Sequence, residues 1–148
     1  MKNILILMML FSSNMLLAQQ IDYNEQDGAI AGGYDVVAYF DGKAKKGKAA
    51  HMLKSENATF LFMSAKNMQT FQENPEKYKP QYGGWCAYAM ANKQKVEVEP
   101  ESYEIRNGKL YLFYKSYFNS ALKKWKSEGP TDLAKKATIY WETVKYKK

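Results

Sequence analysis

Three residue types in this 148-residue chain could do chemistry of their own: one cysteine, Cys86, one histidine, His51, and eight methionines. Cys86 follows Gly83-Gly84-Trp85. A helix opening there would set the thiol near the positive end of the helix dipole, which lowers a thiol pKa and favours thiolate. The plainer reading is a small core residue, because free cysteine is one of the most buried residue types. His51 is the one side chain whose ordinary pKa lies near neutrality, so any imidazole ligand or neutral-pH general acid–base step falls to it. Its place between a lysine loop and a predicted strand favours an ordinary surface residue. A Cys86–His51 nucleophile pair would make a thiol enzyme. No recognisable catalytic motif surrounds either residue, so the chain reads as a binding module before an enzyme.

As a metal site, Cys86 with His51 or Met63, and with Met68 and Met90 as further soft donors, would suit Cu(I) or another soft ion. The paired cysteines of a zinc site are absent, and methionines more often fill gaps in cores. A second candidate is aromatic. Tyr34, Tyr39, Tyr82, Trp85 and Tyr88 gather on two glycine-rich turns, where Gly83 and Gly84 would let a ligand approach the backbone. They predict either the wall of a small-ligand pocket or packed core.

The composition, 46% hydrophobic and 15% aromatic, excludes a disordered or collagen-like chain and suits one domain with its own core. The net charge of +7 comes from scattered lysines, with Arg106 the sole arginine. Without arginine–aromatic interleaving this argues against nucleic acid and leaves a weak attraction for anionic envelope surfaces. Residues 1–18 read as a signal peptide: Lys2, an apolar run from Ile4 to Phe11, and Ala18 before Gln19-Gln20. The run is too short to span a bilayer, and no other segment is apolar enough. The expectation is an exported chain, periplasmic or extracellular, with a polar tether over 19–28 and a domain over 29–148. With Cys86 alone no internal disulfide can form, so stability must come from packing. Its partner would be an envelope protein or a small ligand.

The elements that would position these residues follow from periodicity and turn chemistry. Gly32-Gly33 before Val36-Val37-Ala38-Tyr39-Phe40 predicts a turn and a short strand, and Lys43–Lys48 an exposed loop. A strand is expected from His51, and a clearer one over Ala58–Met63 with Phe60 and Phe62 on one face. Ser64 should cap a helix carrying Ala65, Met68 and Phe71, ended by Asn74-Pro75, with one more turn to Tyr78. Trp85–Ala91 reads as a short buried helix, with a strand as the alternative. Asn107-Gly108 between Tyr103–Arg106 and Lys109–Tyr114 predicts a hairpin. Ser116 is expected to cap a helix with Tyr117, Phe118, Ala121, Leu122 and Trp125 on its stripe, stopped by Gly129-Pro130. Thr131 then opens a last helix with Leu133, Ala137, Tyr140, Trp141 and Val144 inward. The fold class is α+β: a small antiparallel sheet packed against several helices, two of them C-terminal.

The runs Gly33-Tyr34-Asp35, Ala58-Thr59-Phe60-Leu61-Phe62, Asn74-Pro75-Glu76-Lys77-Tyr78 and above all Pro80-Gln81-Tyr82-Gly83-Gly84-Trp85-Cys86-Ala87-Tyr88 resemble exported members of the YHS-domain family. That resemblance implies a small α+β unit. Its cysteine-rich relatives are associated with soft-metal handling through thiolates, but where they carry cysteines this chain has Ala38, Met63 and Asn67, and Val36 replaces a proline. The resemblance therefore carries no thiolate site across. The reading is an exported YHS-like binding module with a metal ion or small cofactor near Cys86; the alternatives are an envelope interaction module with Cys86 structural, and a thiol enzyme.

Overall fold

Asp35 organises the first half of the molecule. In the computed structural model, which describes residues 19–148, this carboxylate is fully buried and accepts four hydrogen bonds. Oδ1 takes the backbone N–H groups of Val37 (2.9 Å) and Ala38 (3.2 Å), and Oδ2 takes the Met63 N–H (2.8 Å) and the Asn67 side-chain amide (2.7 Å). The first pair overturns the strand expected over 36–40. A side chain that binds its own backbone two and three residues on competes with extended pairing, so Ala38–Asp41 forms a 3₁₀ turn despite its β-branched lead-in. The second pair ties that turn to the corner between a strand and a helix.

In chain order the elements are β1 (Glu25–Gln26), β2 (Ala29–Ile30), β3 (Lys48–Ser55), β4 (Ala58–Phe62), α1 (Ala65–Glu73), α2 (Pro75–Tyr78), α3 (Ala87–Ala91), β5 (Glu99–Arg106), β6 (Lys109–Phe113), α4 (Ala121–Glu128) and α5 (Pro130–Val144). The fold is α+β. Its strands form three two-stranded antiparallel ribbons, β1–β2, β3–β4 and β5–β6, with the helices between and around them. The β5–β6 hairpin turns on Asn107 and Gly108, both at positive φ (51° and 71°), as its sequence predicts. Ser64 caps α1 by accepting the Asn67 N–H at 3.1 Å, and Pro75 opens α2. Gly47 sits where the start of β3 crosses β4: a Cβ there would lie 2.4 Å from the Leu61 carbonyl carbon, so no larger residue fits without moving backbone.

The core is one cluster with two aromatic centres. Phe60 and Phe62 of β4 meet Phe71 of α1 at ring separations of 4.7 and 5.3 Å. Trp125 of α4, wholly buried, meets Tyr111 and Phe113 of β6 at 5.4 and 5.3 Å. The Trp125 indole N–H would be stranded there without an acceptor, and Glu104 supplies one at 2.9 Å while pairing with Arg106 at 3.0 Å. Burial alone would raise the Glu104 pKa, but the hydrogen bonds from Arg106 and Trp125 outweigh it and hold the carboxyl below its usual range.

The predicted signal segment, residues 1–18, lies outside the described residues. Three further expectations need correction. The stretch 19–28 is not a tether: Ile21 pairs with Tyr146, Asp22 donates its N–H to the Lys145 carbonyl at 2.7 Å, and Asn24 is buried with its amide on the Gly84 carbonyl. The helix expected from Ser116 begins at Ala121 instead, capped by Ser120. Residues 115–120 form a closed loop that leaves Tyr117 and Phe118 outside. The last helix starts at Pro130, one residue before Thr131.

Asp35→Ala should cost at least about 3 kcal/mol in urea unfolding, since it strands four donors, two of them buried and two part-buried, whereas Asn67→Ala should cost about 1 kcal/mol. Equal, small losses would contradict the anchoring role. The Glu104 interactions add stability at neutral pH, because its folded pKa is depressed. That stability is present above the unfolded value near ~4.3 and disappears as pH falls through the folded one. Unfolding of Glu104→Gln and the native chain should therefore converge below that window.

Candidate functional site

Cys86 stands at the N-cap of α3 with its side chain fully buried. Its Sγ accepts the backbone N–H of Tyr114 at 3.2 Å, its own N–H donates to the Val96 carbonyl at 3.0 Å, and its carbonyl accepts from Met90 at 2.9 Å. Two opposing effects set the direction of its pKa. Burial raises it, while hydrogen bonds from the backbone of Tyr114, Ala89 and Tyr88 lower it, and burial prevails. The thiolate expected from the helix end is therefore not favoured. The dipole of the five-residue α3 acts only weakly, and the loss of water around a charge outweighs it.

The proposed co-ligands lie elsewhere. A cavity of about 280 Å³ reaches Cys86 between Tyr88, Asn92, Val96, Tyr114 and Lys124, and neither His51 nor Met63 lines it. His51 is half-buried on β3. Met63 follows β4, where its N–H is bound to Asp35. No group of three or more His, Cys, Asp or Glu side chains placed to hold a metal ion occurs among the described residues.

The aromatic candidates also separate. Tyr39 is a core residue whose hydroxyl donates to the Pro100 carbonyl at 2.7 Å and whose ring meets Tyr103 at 4.7 Å. Tyr34 reaches Glu101 at 3.3 Å, Tyr88 reaches both Glu128 oxygens at 3.1 Å, and the Trp85 indole donates to the Asp22 carbonyl at 2.8 Å. Gly84 is buried against Pro80 and Ile30. Of the set only Tyr82 and Gly83 border a shared hollow.

That hollow is an open cleft of about 290 Å³ over the Pro80–Gly83 turn, walled by Tyr23, Tyr82 and Trp141 and edged by Glu56, Glu76, Lys79 and Glu142. Tyr82 holds a left-handed backbone, φ 57°, a conformation that costs a non-glycine residue roughly 1 kcal/mol. The phenol offsets this by bonding the Ala134 carbonyl at 3.1 Å and lying 3.4 Å from the Thr138 hydroxyl. Burial pushes its pKa up to about 12. Gly83 follows at φ 61°, and a Cβ there would lie 2.8 Å from the Trp141 ring; glycine keeps the floor of the cleft open.

At the rim, Tyr23 donates its hydroxyl to Glu56, and Lys79 bridges Glu56 at 3.0 Å and Glu76 at 2.7 Å. The Tyr23 bond, helped by Lys79, holds the Glu56 carboxyl below its usual range against the effect of burial. Burial and then Glu56 push the Tyr23 phenol up. Sequence reasoning missed Tyr23, Glu56, Lys79 and Trp141, which come from four distant segments. The one local signal was Pro80-Gln81-Tyr82-Gly83, whose unusual backbone builds the floor. A buried thiol makes a definite prediction: in the native chain Cys86 should react with a disulfide reagent far more slowly than in denaturant, and Cys86→Ala should cost about 1–2 kcal/mol through the lost contact and the stranded Tyr114 N–H. Immediate native-state labelling at neutral pH would contradict it.

No family model, curated protein or solved structure matches the chain.

Proposed function

We propose that this chain is an exported, YHS-like binding module without catalytic activity, in which Cys86 is structural and the cleft over Gly83 takes a small organic ammonium ion. The observation that carries the reading is the make-up of that cleft. Three aromatic side chains stand beside three carboxylates; Lys79 is the one cation lining the cleft and is engaged by Glu56 and Glu76, while Glu142 at the edge pairs outward with Lys145 at 2.5 Å. Aromatic faces and carboxylates both attract a positive ligand, and the desolvated ring faces favour a diffuse ammonium over a compact, strongly hydrated ion. The left-handed Tyr82-Gly83 pair that holds the floor open supports the same conclusion, since strained backbone is kept where the surroundings enforce it, often at binding sites.

Cu(I) at Cys86 is the weaker reading, because the thiol is enclosed, bound by a backbone N–H and without His51 or Met63 around its cavity. A thiol enzyme lacks support on the same grounds. An aromatic surface suited to docking lies elsewhere, at Tyr117 and Phe118.

Titration of the isotopically labelled chain with tetramethylammonium, ethanolamine and spermidine, followed by NMR against neutral glycerol, tests the proposal. The Trp141 indole and Gly83 amide should shift with the cations alone. Glu56→Gln should weaken the effect about fivefold, and Gly83→Ala should abolish it by filling the floor. Silence at millimolar cation, or equal shifts with glycerol, would remove the ammonium assignment.

A further inference from the structure

The most exposed large apolar side chains among the described residues are adjacent: Tyr117 and Phe118, 94% and 93% accessible. They sit at the tip of a loop that is closed and ordered by its own backbone. Lys115 and Ser120 form a bridge, the Ser116 N–H donates to the Asn119 carbonyl at 2.8 Å, and the Ala121 N–H donates to the Tyr114 carbonyl at 3.0 Å. The two rings meet edge to face at 4.8 Å, so they project as one unit. The loop is anchored from below, because Tyr114 also donates its N–H to the buried Cys86 sulfur and α4 runs directly from it.

Around the tip the charge is positive. Lys115, Lys123 and Lys126 line the groove at its base with Glu101 as the acidic neighbour, and none of the three lysines forms a salt bridge among the described residues. We propose that this loop docks the protein on an anionic lipid bilayer, with Tyr117 and Phe118 seated at the headgroup level and the lysines facing lipid phosphates. Charge complementarity selects this occupant. Tyr117, aromatic with one polar end, suits the membrane interface, Phe118 adds apolar area to bury there, and each lysine near an anionic surface adds attraction of its own. A protein partner of ordinary affinity needs roughly 800 Å² of complementary surface with an apolar centre, whereas here a narrow two-ring tip is surrounded by polar and cationic groups. The ordered loop binds without first paying to become ordered. The inference is independent of the cleft over Gly83, which none of these residues line.

Co-sedimentation of the purified chain with vesicles of phosphatidylglycerol and phosphatidylethanolamine, against phosphatidylcholine alone, tests it. Binding should favour the anionic vesicles and weaken with salt. The double variant Tyr117→Ser, Phe118→Ser should bind at least about tenfold more weakly, with unfolding unchanged because both side chains are already in water. Lys115→Gln with Lys123→Gln should bind weakly and lose most of the salt dependence. In Phe118→Trp, the added indole emission should shift to the blue on binding. Absence of binding to anionic vesicles, equal binding by the double serine variant, or an unshifted indole would each overturn the proposal; the first together with capture of an envelope protein would assign the tip to a protein partner.

Discussion

A carboxylate with no cation beside it is an unusual centre for a small fold, and Asp35 is just that: fully buried, without a salt bridge among the described residues, and held by four N–H donors from three segments. The donors replace the water that burial removes. Because two are backbone groups of the next turn and two belong to the β4–α1 corner, the chain cannot satisfy the carboxylate without bringing those segments together. The turn at Ala38–Asp41 then seats Tyr39 in the core, and the corner seats Phe60, Phe62 and Phe71 against one another. At that corner Met63 supplies a backbone N–H and Asn67 an amide N–H to the buried anion.

The second half rests on an analogous economy around Cys86. Its sulfur takes the N–H of Tyr114 where β6 has ended and the 115–120 loop begins. Two physical effects compete at this thiol, hydrogen bonds from the backbone of Tyr114, Ala89 and Tyr88 and the cost of burying charge, and the second is the larger. The result is a thiol that packs in the core and accepts backbone hydrogen bonds. In this reading the specific motif around it matters for the backbone of Tyr82 and Gly83, which opens a cleft, more than for sulfur chemistry.

The two surfaces proposed for binding are separate. The cleft over Gly83 joins Tyr23 near the start of the described chain to Trp141 near its end, and it exists because residues 20–22 pair with residues 145–147. The aromatic tip at 117–118 is set apart by α4 and the β5–β6 ribbon. A concave acidic, aromatic hollow and a convex basic, aromatic tip present opposite charge and opposite shape, so a small cation and an anionic surface do not compete for either.

By itself the sequence determined what depends on neighbours in the chain. The Asn107-Gly108 hairpin, the Ser64 cap, the Pro75 turn and the alternation of Phe60 and Phe62 were all legible, because each arises from backbone preference or side-chain period within a few residues. Tertiary structure decided the rest. Val36 to Phe40 looked like a strand until the Asp35 side chain, fixed from β4 and α1, curled the backbone. Ser116 was the cap expected from the sequence, and the bridge from Lys115 to Ser120 moved the cap four residues on to Ser120, turning Tyr117 and Phe118 from core to surface. The polar stretch before Ala29 looked like a tether until the far C-terminus supplied its partners. The cleft was invisible for the same reason: its walls are separated by more than a hundred residues, and only the free energy of closing the whole chain sets Trp141 over Gly83.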